Sequence, residues 1–147
     1  MIYLGADHRG FYLKEKIKKY LRDLDYKIVD LGNKKFDKND DYPDFGKAVA
    51  IRVAKSPSNE KGILFCGSGN GMVIVANKIR KIRGALGFNR KAAKMSREHN
   101  DANILCLPAD FLTENKAKKI VKVWLKTRFS GEVRHIRRLK KIEKYSR

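Results

Sequence analysis

The feature that most constrains the fold of this chain is a regular alternation of short apolar runs with amphipathic stretches. Apolar runs of strand length occur at residues 1–6, 26–31, 63–66, 83–88 and 103–107. Stretches that favour helices occur at residues 11–24, 44–55, 71–80, 89–100, 113–129 and 133–145. This alternation is typical of a parallel sheet covered on both faces by helices. We predict an α/β fold, a three-layer αβα sandwich with a five-stranded parallel sheet and an extra C-terminal helix.

Local signals support several of these boundaries. Pro43 suits the start of a helix, and Asp44 suits its first turn. Thr113 is a suitable N-cap for the helix that follows it. The 147 residues contain no internal repeat or linker, so we expect residues 1–147 to form a single domain.

The charge of the chain is unusually positive. Thirty-five Lys and Arg residues against 16 Asp and Glu give a net charge of +19, which attracts anions. The lysines lie on the predicted outer faces of helices, which is typical of a solvated surface. Exposed aromatics interleaved with the basic residues, a zinc finger and an RRM-type motif are all absent from the sequence, so nucleic acid is not the expected partner.

Composition also bears on the compartment. No run approaches the roughly 20 apolar residues of a membrane span, and the N-terminal stretch lacks the pattern of a signal peptide. Two cysteines, Cys66 and Cys106, do not make a disulfide framework, and we expect both to be reduced. The sequence has no Cys/His cluster with zinc spacing. We expect a cytoplasmic protein.

Polar residues follow two of the predicted strands. Asp7 and His8 follow the first strand, and Cys66 ends the third. Ligands of such sheets bind at the carboxyl ends of the strands, so a site is expected there. We also assign to it His99 and Asn100, which end the helix before strand five.

The segment Gly67-Ser68-Gly69-Asn70-Gly71 joins strand three to a helix. Backbone N–H groups and a helix N-terminus in one place favour an anion or a developing oxyanion. The pattern is not a Walker A loop, because no Gly-Lys-Ser/Thr follows, and it departs from G-x-G-x-x-G because position 72 is methionine. A tight strand-to-helix connection without a ligand remains the alternative.

Cys66 precedes this turn. A helix N-terminus lowers a thiol pKa, which would favour a chemical role, and only about 3% of an ordinary thiol is ionised at pH 7. A buried cysteine is equally well explained as a small hydrophobic residue. Cys106 has no glycine turn beside it and is expected to serve packing.

Six motifs together resemble the ribose-5-phosphate isomerase B family, whose wider group includes galactose-6-phosphate and allose-6-phosphate isomerases. The motifs, in order along nearly the whole chain, are ADHRGFYLKEKIKKYL, DYPDFG, FCGSGNGMVIVANK, IRGAL, MSREHNDANIL and SGEVRHIRRLKKI. The resemblance implies a Rossmann-like fold and an aldose–ketose isomerase of phosphorylated sugars. It further implies a homodimer or dimer of dimers that needs no metal or nucleotide, with sites where subunits meet.

The resemblance also implies roles for individual residues. Cys66 would move a proton between C1 and C2, and the backbone of 67–71 would hold the enediolate oxygen with Ser68 beside it. His99 would act on the ring oxygen to open the furanose. The residues implied to bind substrate are Asp7, His8, Gly67, Ser68, Gly69, Asn70, Gly71, Asn100, Arg134 and Arg138, the two arginines binding phosphate.

Several of these residues have a structural alternative. Asp7 is also suited to cap the following helix, and His8 to lie on the surface. His99 is also compatible with a structural role near a helix end. His135 and Tyr42 are equally compatible with a site and with packing.

Two positions depart from the family pattern. Met72 stands where some relatives carry a glutamate base, and since methionine cannot accept a proton, the resemblance leaves Cys66 as the base. Asp110 stands where many relatives have a substrate-binding arginine, which leaves the sugar preference open. If Asp110 faces the pocket, it would repel the phosphosugar or accept hydrogen bonds from a sugar hydroxyl. Alternatively the loop has shifted, Asp110 is solvated or caps the next helix, and Arg90, Arg97 or a partner-chain lysine supplies the positive charge. We expect ribose 5-phosphate as substrate; the alternatives are a hexose 6-phosphate isomerase and a basic nucleic-acid-associated protein without turnover.

Overall fold

Five short strands lie parallel in one sheet. The computed structural model describes residues 1–145, and its strands are β1 (Ile2–Ala6), β2 (Ile28–Asp30), β3 (Lys61–Cys66), β4 (Gly84–Leu86) and β5 (Ile104–Pro108). The strand order is β2-β1-β3-β5-β4, and every neighbouring pair is parallel. The predicted five-stranded parallel sheet is confirmed.

Helices cover both faces of this sheet. They are α1 (Phe11–Asp23), α2 (Tyr42–Ala54), α3 (Asn70–Asn77), α4 (Arg90–Glu98), α5 (Glu114–Lys126) and α6 (Val133–Glu143). Residues of α1, α4 and α5 pack on one face of the sheet, around the fully buried Trp124. Residues of α2 and α3 pack on the other face, around Val49 and Met72. The predicted αβα sandwich is therefore confirmed.

The two-residue period of the strands decides which face each side chain meets. In β3, Ile63 and Phe65 belong to the core under α1 and α5. Leu64 and Cys66 belong to the core under α2 and α3. The Cys66 side chain therefore lies on the α3 side of the sheet, over the turn that begins α3.

The chain changes direction across the sheet at β1. From β1 it moves outward to β2, and then returns to place β3 on the other side of β1. The carboxyl ends of β1 and β3 thus border a topological switch point, where ligands of α/β sheets bind. The segments after both strands lie at this edge.

Most predicted boundaries differ from the structure by a few residues. The strand predicted at 26–31 is only Ile28–Asp30, and the helix predicted at 113–129 ends at Lys126. Thr113 accepts a hydrogen bond from the Lys116 N–H, which confirms its predicted capping role. Within residues 1–145, no helix combines the length and the hydropathy needed to cross a membrane.

The last helix differs from the others because it buries very little. His135 is the one residue of α6 that is buried. Val133, Ile142 and Tyr145 are 78%, 52% and 84% exposed, although all three are apolar or aromatic. Val133 and Ile142 are nine residues apart, which places them on opposite faces of α6 among its basic residues.

Candidate active site

The glycine turn after β3 wraps around the sulfur of Cys66. The Gly69 N–H donates to Cys66 Sγ at 3.2 Å, and the Asn70 N–H donates to Ser68 Oγ at 3.3 Å. Gly69 has a φ of +78°, and a Cβ there would lie 2.4 Å from a Leu86 methyl carbon. Glycine is required at this position for both its backbone angle and its lack of a side chain.

Burial raises the pKa of the Cys66 thiol above its ordinary value. The backbone N–H groups of Met72, Gly69 and Ser68 act in the opposite direction, and the nearby Asp7 carboxylate adds to the rise. A helix N-terminus can lower a thiol pKa, but here the loss of solvent around Cys66 outweighs the N–H groups.

Asp7 and His8 lie beside this turn at the carboxyl end of β1. Asp7 is buried, its Oδ1 accepts from the Gly10 N–H at 3.0 Å, and burial raises its pKa. Gly10 is itself the N-cap of α1 and, among residues 1–145, no side chain caps this helix, so the capping alternative for Asp7 is wrong. Asp7 lies close enough to Cys66 for its carboxylate to raise the pKa of the thiol. His8 Nδ1 lies 2.7 Å from Asp40 Oδ1, and the His8 N–H donates to the same oxygen at 2.9 Å.

Two residues that sequence reasoning did not assign to the site complete this edge. Asp40 is 6% exposed at its side chain and orients His8. Arg9 forms an ion pair with Asp110, across the backbone of Gly67. Each belongs to a short charged stretch, ADHRG or KNDD, and a charge in a predicted loop is too common a signal to select either of them.

Tyr42 also lies against the glycine turn. A Cβ on Gly71 would come within 2.7 Å of the Tyr42 ring. The ring is 38% exposed, so it covers the turn without closing it. This contact places Tyr42 at the site edge.

A second group of predicted residues lies around His99. The rings of His99 and His135 are 4.8 Å apart, and His135 Nδ1 lies 2.7 Å from Ser130 Oγ. The Ser130 N–H in turn donates to the Glu98 carbonyl at 2.9 Å. The start of α6 is therefore bound to the end of α4 at this point.

The remaining predicted residues are exposed near this histidine pair. Asn100 follows His99 directly, and Arg134 and Arg138 lie on α6. The Arg134 side chain is 58% exposed and its Nε donates to Glu132 at 2.8 Å. By contrast Arg97, weighed as a source of positive charge, is buried and bonded to Asp101 and the Ala102 carbonyl.

The expectation that His99 and Asn100 share an edge with Cys66 is wrong within one chain. Helix α4 starts where β4 ends, at the carboxyl edge, and runs back so that β5 starts at the other edge. His99 and Asn100 therefore lie at the amino edge of the sheet. Arg134 and Arg138 lie there too, since α6 is bound to α4 and contacts Arg83 before β4 through Glu143.

Chemically, the carboxyl edge holds an ionisable sulfur, a buried carboxylate and a histidine around a glycine turn. This set can move a proton and receive an oxyanion. In the described residues 1–145, no three His, Cys, Asp or Glu side chains come together as metal ligands.

Comparison with known proteins gives consistent matches. Residues 2–142 match the family described as Ribose/Galactose Isomerase. A probable ribose-5-phosphate isomerase B of Mycoplasma genitalium is 42% identical over 146 residues, which are 99% of this chain and 95% of that protein. Ribose-5-phosphate isomerase B of Mycobacterium tuberculosis is 38% identical, over 99% of this chain and 90% of its own.

Solved structures agree with these relatives. The crystal structure of ribose-5-phosphate isomerase B from Mycoplasma genitalium, with bound ribulose-5-phosphate, superposes with a TM-score of 0.95. It is 43% identical and covers 98% of this chain and 94% of its own. The enzyme from Clostridium thermocellum gives a TM-score of 0.92 at 43% identity, covering 97% of this chain and 95% of that chain.

Proposed function

The chain belongs to the ribose/galactose isomerase family, and from this membership we infer an aldose–ketose isomerase that interconverts ribose 5-phosphate and ribulose 5-phosphate. The observation that carries the proposal is the position of Cys66, whose sulfur lies in the glycine turn at the switch point of the sheet. A phosphorylated sugar is the proposed substrate, because a related crystal structure holds ribulose-5-phosphate. The reaction belongs to the carbohydrate metabolism of pentose phosphates.

Cys66 is the base in this proposal. Its thiolate removes the proton from C2 of the open-chain aldose, and the electron pair of that C–H bond forms the enediolate. The hydroxyl proton passes from O2 to O1, and the thiol then returns the carbon-bound proton to C1, which yields the ketose and restores the thiolate. Backbone N–H groups of 67–71 stabilise the negative oxygen, because the first N–H groups of α3 have no partner inside the helix.

The other residues bind the sugar or open its ring. Asp7, His8 and Asn100 bind hydroxyl groups, with Ser68 beside the enediolate. His99 transfers the proton on the ring oxygen, and Arg134 and Arg138 bind the phosphate through charge-assisted hydrogen bonds. No metal ion or nucleotide cofactor is required by these steps.

A complete site in this account needs two copies of the chain. Cys66 and His99 lie at opposite edges of one sheet, so His99 of one copy must serve Cys66 of another. Helix α6 supports such a contact, because His135 is its one buried residue and its remaining side chains are left available to a second copy. We therefore propose a homodimer, or a dimer of dimers, as the active form.

The two free cysteines bear on the cellular compartment of the protein. Cys66 and Cys106 are both free and buried in the structure. A protein that relies on a free thiol as a base needs a reducing environment, which supports a cytoplasmic location.

Replacing Cys66 by alanine tests the proposal. We expect Cys66→Ala to fold like the wild type and to lose isomerisation of ribose 5-phosphate by at least about 100-fold, because general-base catalysis contributes that much or more. Cys106→Ala is the matched control, since Cys106 is fully buried in the core and should leave kcat nearly unchanged. Initial rates from a ribulose 5-phosphate assay, with circular dichroism for folding, give the answer.

The same assay tests the substrate. Allose 6-phosphate and galactose 6-phosphate are compared with ribose 5-phosphate at equal concentrations. Higher kcat/KM for a hexose 6-phosphate would reject the pentose assignment while keeping the isomerase. Wild-type turnover in Cys66→Ala would reject the thiol as base.

A further inference from the structure

An ion pair covers the first glycine of the turn that holds Cys66. The Arg9 guanidinium donates through Nη2 to Asp110 Oδ2, joining the segment after β1 to the segment after β5. The Asp110 N–H also donates to the Gly67 carbonyl at 3.0 Å. A Cβ built on Gly67 would lie 2.7 Å from Arg9 Nε and 2.9 Å from Asp110 Oδ2. The pair therefore lies directly on the backbone next to Cys66.

The contact with Asp110 uses few of the N–H donors of the Arg9 guanidinium. A guanidinium carries five N–H groups, and one nitrogen of Arg9 is used by Asp110. The Arg9 side chain is 59% exposed, compared with 38% for Asp110. The fork of the guanidinium thus stays open toward solvent at the mouth of the site, in an orientation that Asp110 fixes.

Other arginines proposed for the site are at the wrong edge of their own chain. Arg134 and Arg138 reach a substrate at Cys66 only from a second copy. Arg9 follows β1 and lies at the same edge as Cys66. Its guanidinium lies against the backbone of Gly67, the residue that follows Cys66.

We propose that Arg9, oriented by Asp110, binds the phosphate of the sugar substrate held by Cys66 of the same chain. The inference rests on the proposed function, which supplies a phosphorylated substrate. Planar guanidinium groups suit phosphate oxygens because two N–H groups bind two oxygens at once. Asp110 then serves binding indirectly, as a positioning residue, despite its own negative charge.

The competing role for the pair is structural. An Arg9–Asp110 contact that only ties two loops together over Gly67 would need both charges and would not touch the substrate. The two roles predict different results when the guanidinium is moved from position 9, after β1, to position 110, after β5. An arginine at position 110 restores a phosphate donor above Gly67, but it cannot restore an ion pair once Arg9 is gone.

The experiment compares Arg9→Ala with the double variant Arg9→Ala/Asp110→Arg. Inorganic phosphate is the probe, titrated by calorimetry and as a competitive inhibitor of ribose 5-phosphate turnover. We expect Arg9→Ala to raise the phosphate Kd and the KM by about tenfold, with kcat changed less than about threefold, because the phosphate is bound in ground and transition states alike. The double variant should return both constants to within about threefold of wild type.

Arg22→Ala is the control for loss of one positive charge, since Arg22 is exposed in the last turn of α1. It should leave both constants unchanged. Unchanged phosphate affinity in Arg9→Ala, or a double variant as weak as the single one, overturns the proposal. Calorimetry needs no turnover, so a wild type that binds phosphate but does not isomerise pentose phosphates would reject the proposed function alone.

Discussion

Two opposing influences set the pKa of the Cys66 thiol. The N–H groups of the glycine turn stabilise a thiolate, while burial and Asp7 oppose it, and the net effect is a raised pKa. A raised pKa makes the thiolate less abundant at neutral pH and also a stronger base once formed. The resting site therefore holds a protonated thiol with the donors of its future oxyanion already in position.

Alkylation by iodoacetamide measures this directly. The thiolate is the reactive form, so a raised pKa predicts that Cys66 reacts more slowly at pH 7 than free cysteine. Its rate should keep rising with pH beyond the ordinary thiol pKa of about 8.5. The readout is the alkylation rate from pH 6 to 10, by mass spectrometry of the labelled peptide.

Cys106 provides the internal comparison for this labelling. It is fully buried and its pKa is strongly raised by burial, so it should stay unlabelled in the folded protein. Cys66→Ala should then take up no label. A labelling rate for Cys66 that levels off below pH 7 would mean a thiolate stabilised at rest, contrary to the raised pKa.

At the scale of elements, the turn from β3 into α3 sets the geometry of the site. Gly69 has the left-handed backbone that allows its N–H to reach Cys66 Sγ, and Leu86 fills the space where its side chain would be. A strand and a helix joined in this way hold the sulfur and the oxyanion donors in one rigid unit.

Gly69 and Gly131 have similar backbone angles, so a comparison of alanine substitutions at the two positions distinguishes backbone strain from steric crowding. Gly69 has φ +78° and Gly131 has φ +67°, but a Cβ on Gly131 meets nothing within 4 Å. We expect Gly131→Ala to lower the free energy of unfolding by about 1–2 kcal/mol, the cost of a left-handed alanine. Gly69→Ala should cost more and should also reduce kcat, because the contact with Leu86 must shift the turn.

Urea unfolding at one protein concentration, with kcat for each variant, provides the measurement. Equal destabilisation of Gly69→Ala and Gly131→Ala would contradict the crowding at Leu86. An unchanged kcat in Gly69→Ala would contradict the role of this turn in catalysis.

The elements themselves were predictable, since periodicity and the signals at Pro43 and Thr113 depend on local sequence. The positions of the site residues relative to one another were harder to predict. His99 was expected at the same edge of its own chain as Cys66, and this was wrong because a helix that follows a strand returns to the opposite edge of the sheet. Arg9 and Asp40 were missed because their partners lie 101 and 32 residues away in the chain. The direction of the Cys66 pKa shift could not be predicted, because burial cannot be read from the neighbours of a residue in sequence.

At the scale of the whole molecule, the chain carries two incomplete sets of site residues at opposite edges of its sheet. The carboxyl edge has Cys66, Asp7 and His8, and the amino edge has His99 with the arginines of α6. A net charge of +19 surrounds both sets and raises the encounter rate with an anionic sugar phosphate. The central claim is that two copies of the chain join the two sets into one isomerase site.

Mixed dimers of two inactive variants test this claim most directly. Cys66→Ala and His99→Asn carry different affinity tags, are produced together, and are purified through both tags in turn. Each parent alone should retain under about 1% of wild-type turnover of ribose 5-phosphate. The mixed dimer contains one site with both Cys66 and His99 intact, so it should regain about half of the wild-type kcat. A mixed dimer as inactive as its parents would contradict the shared site.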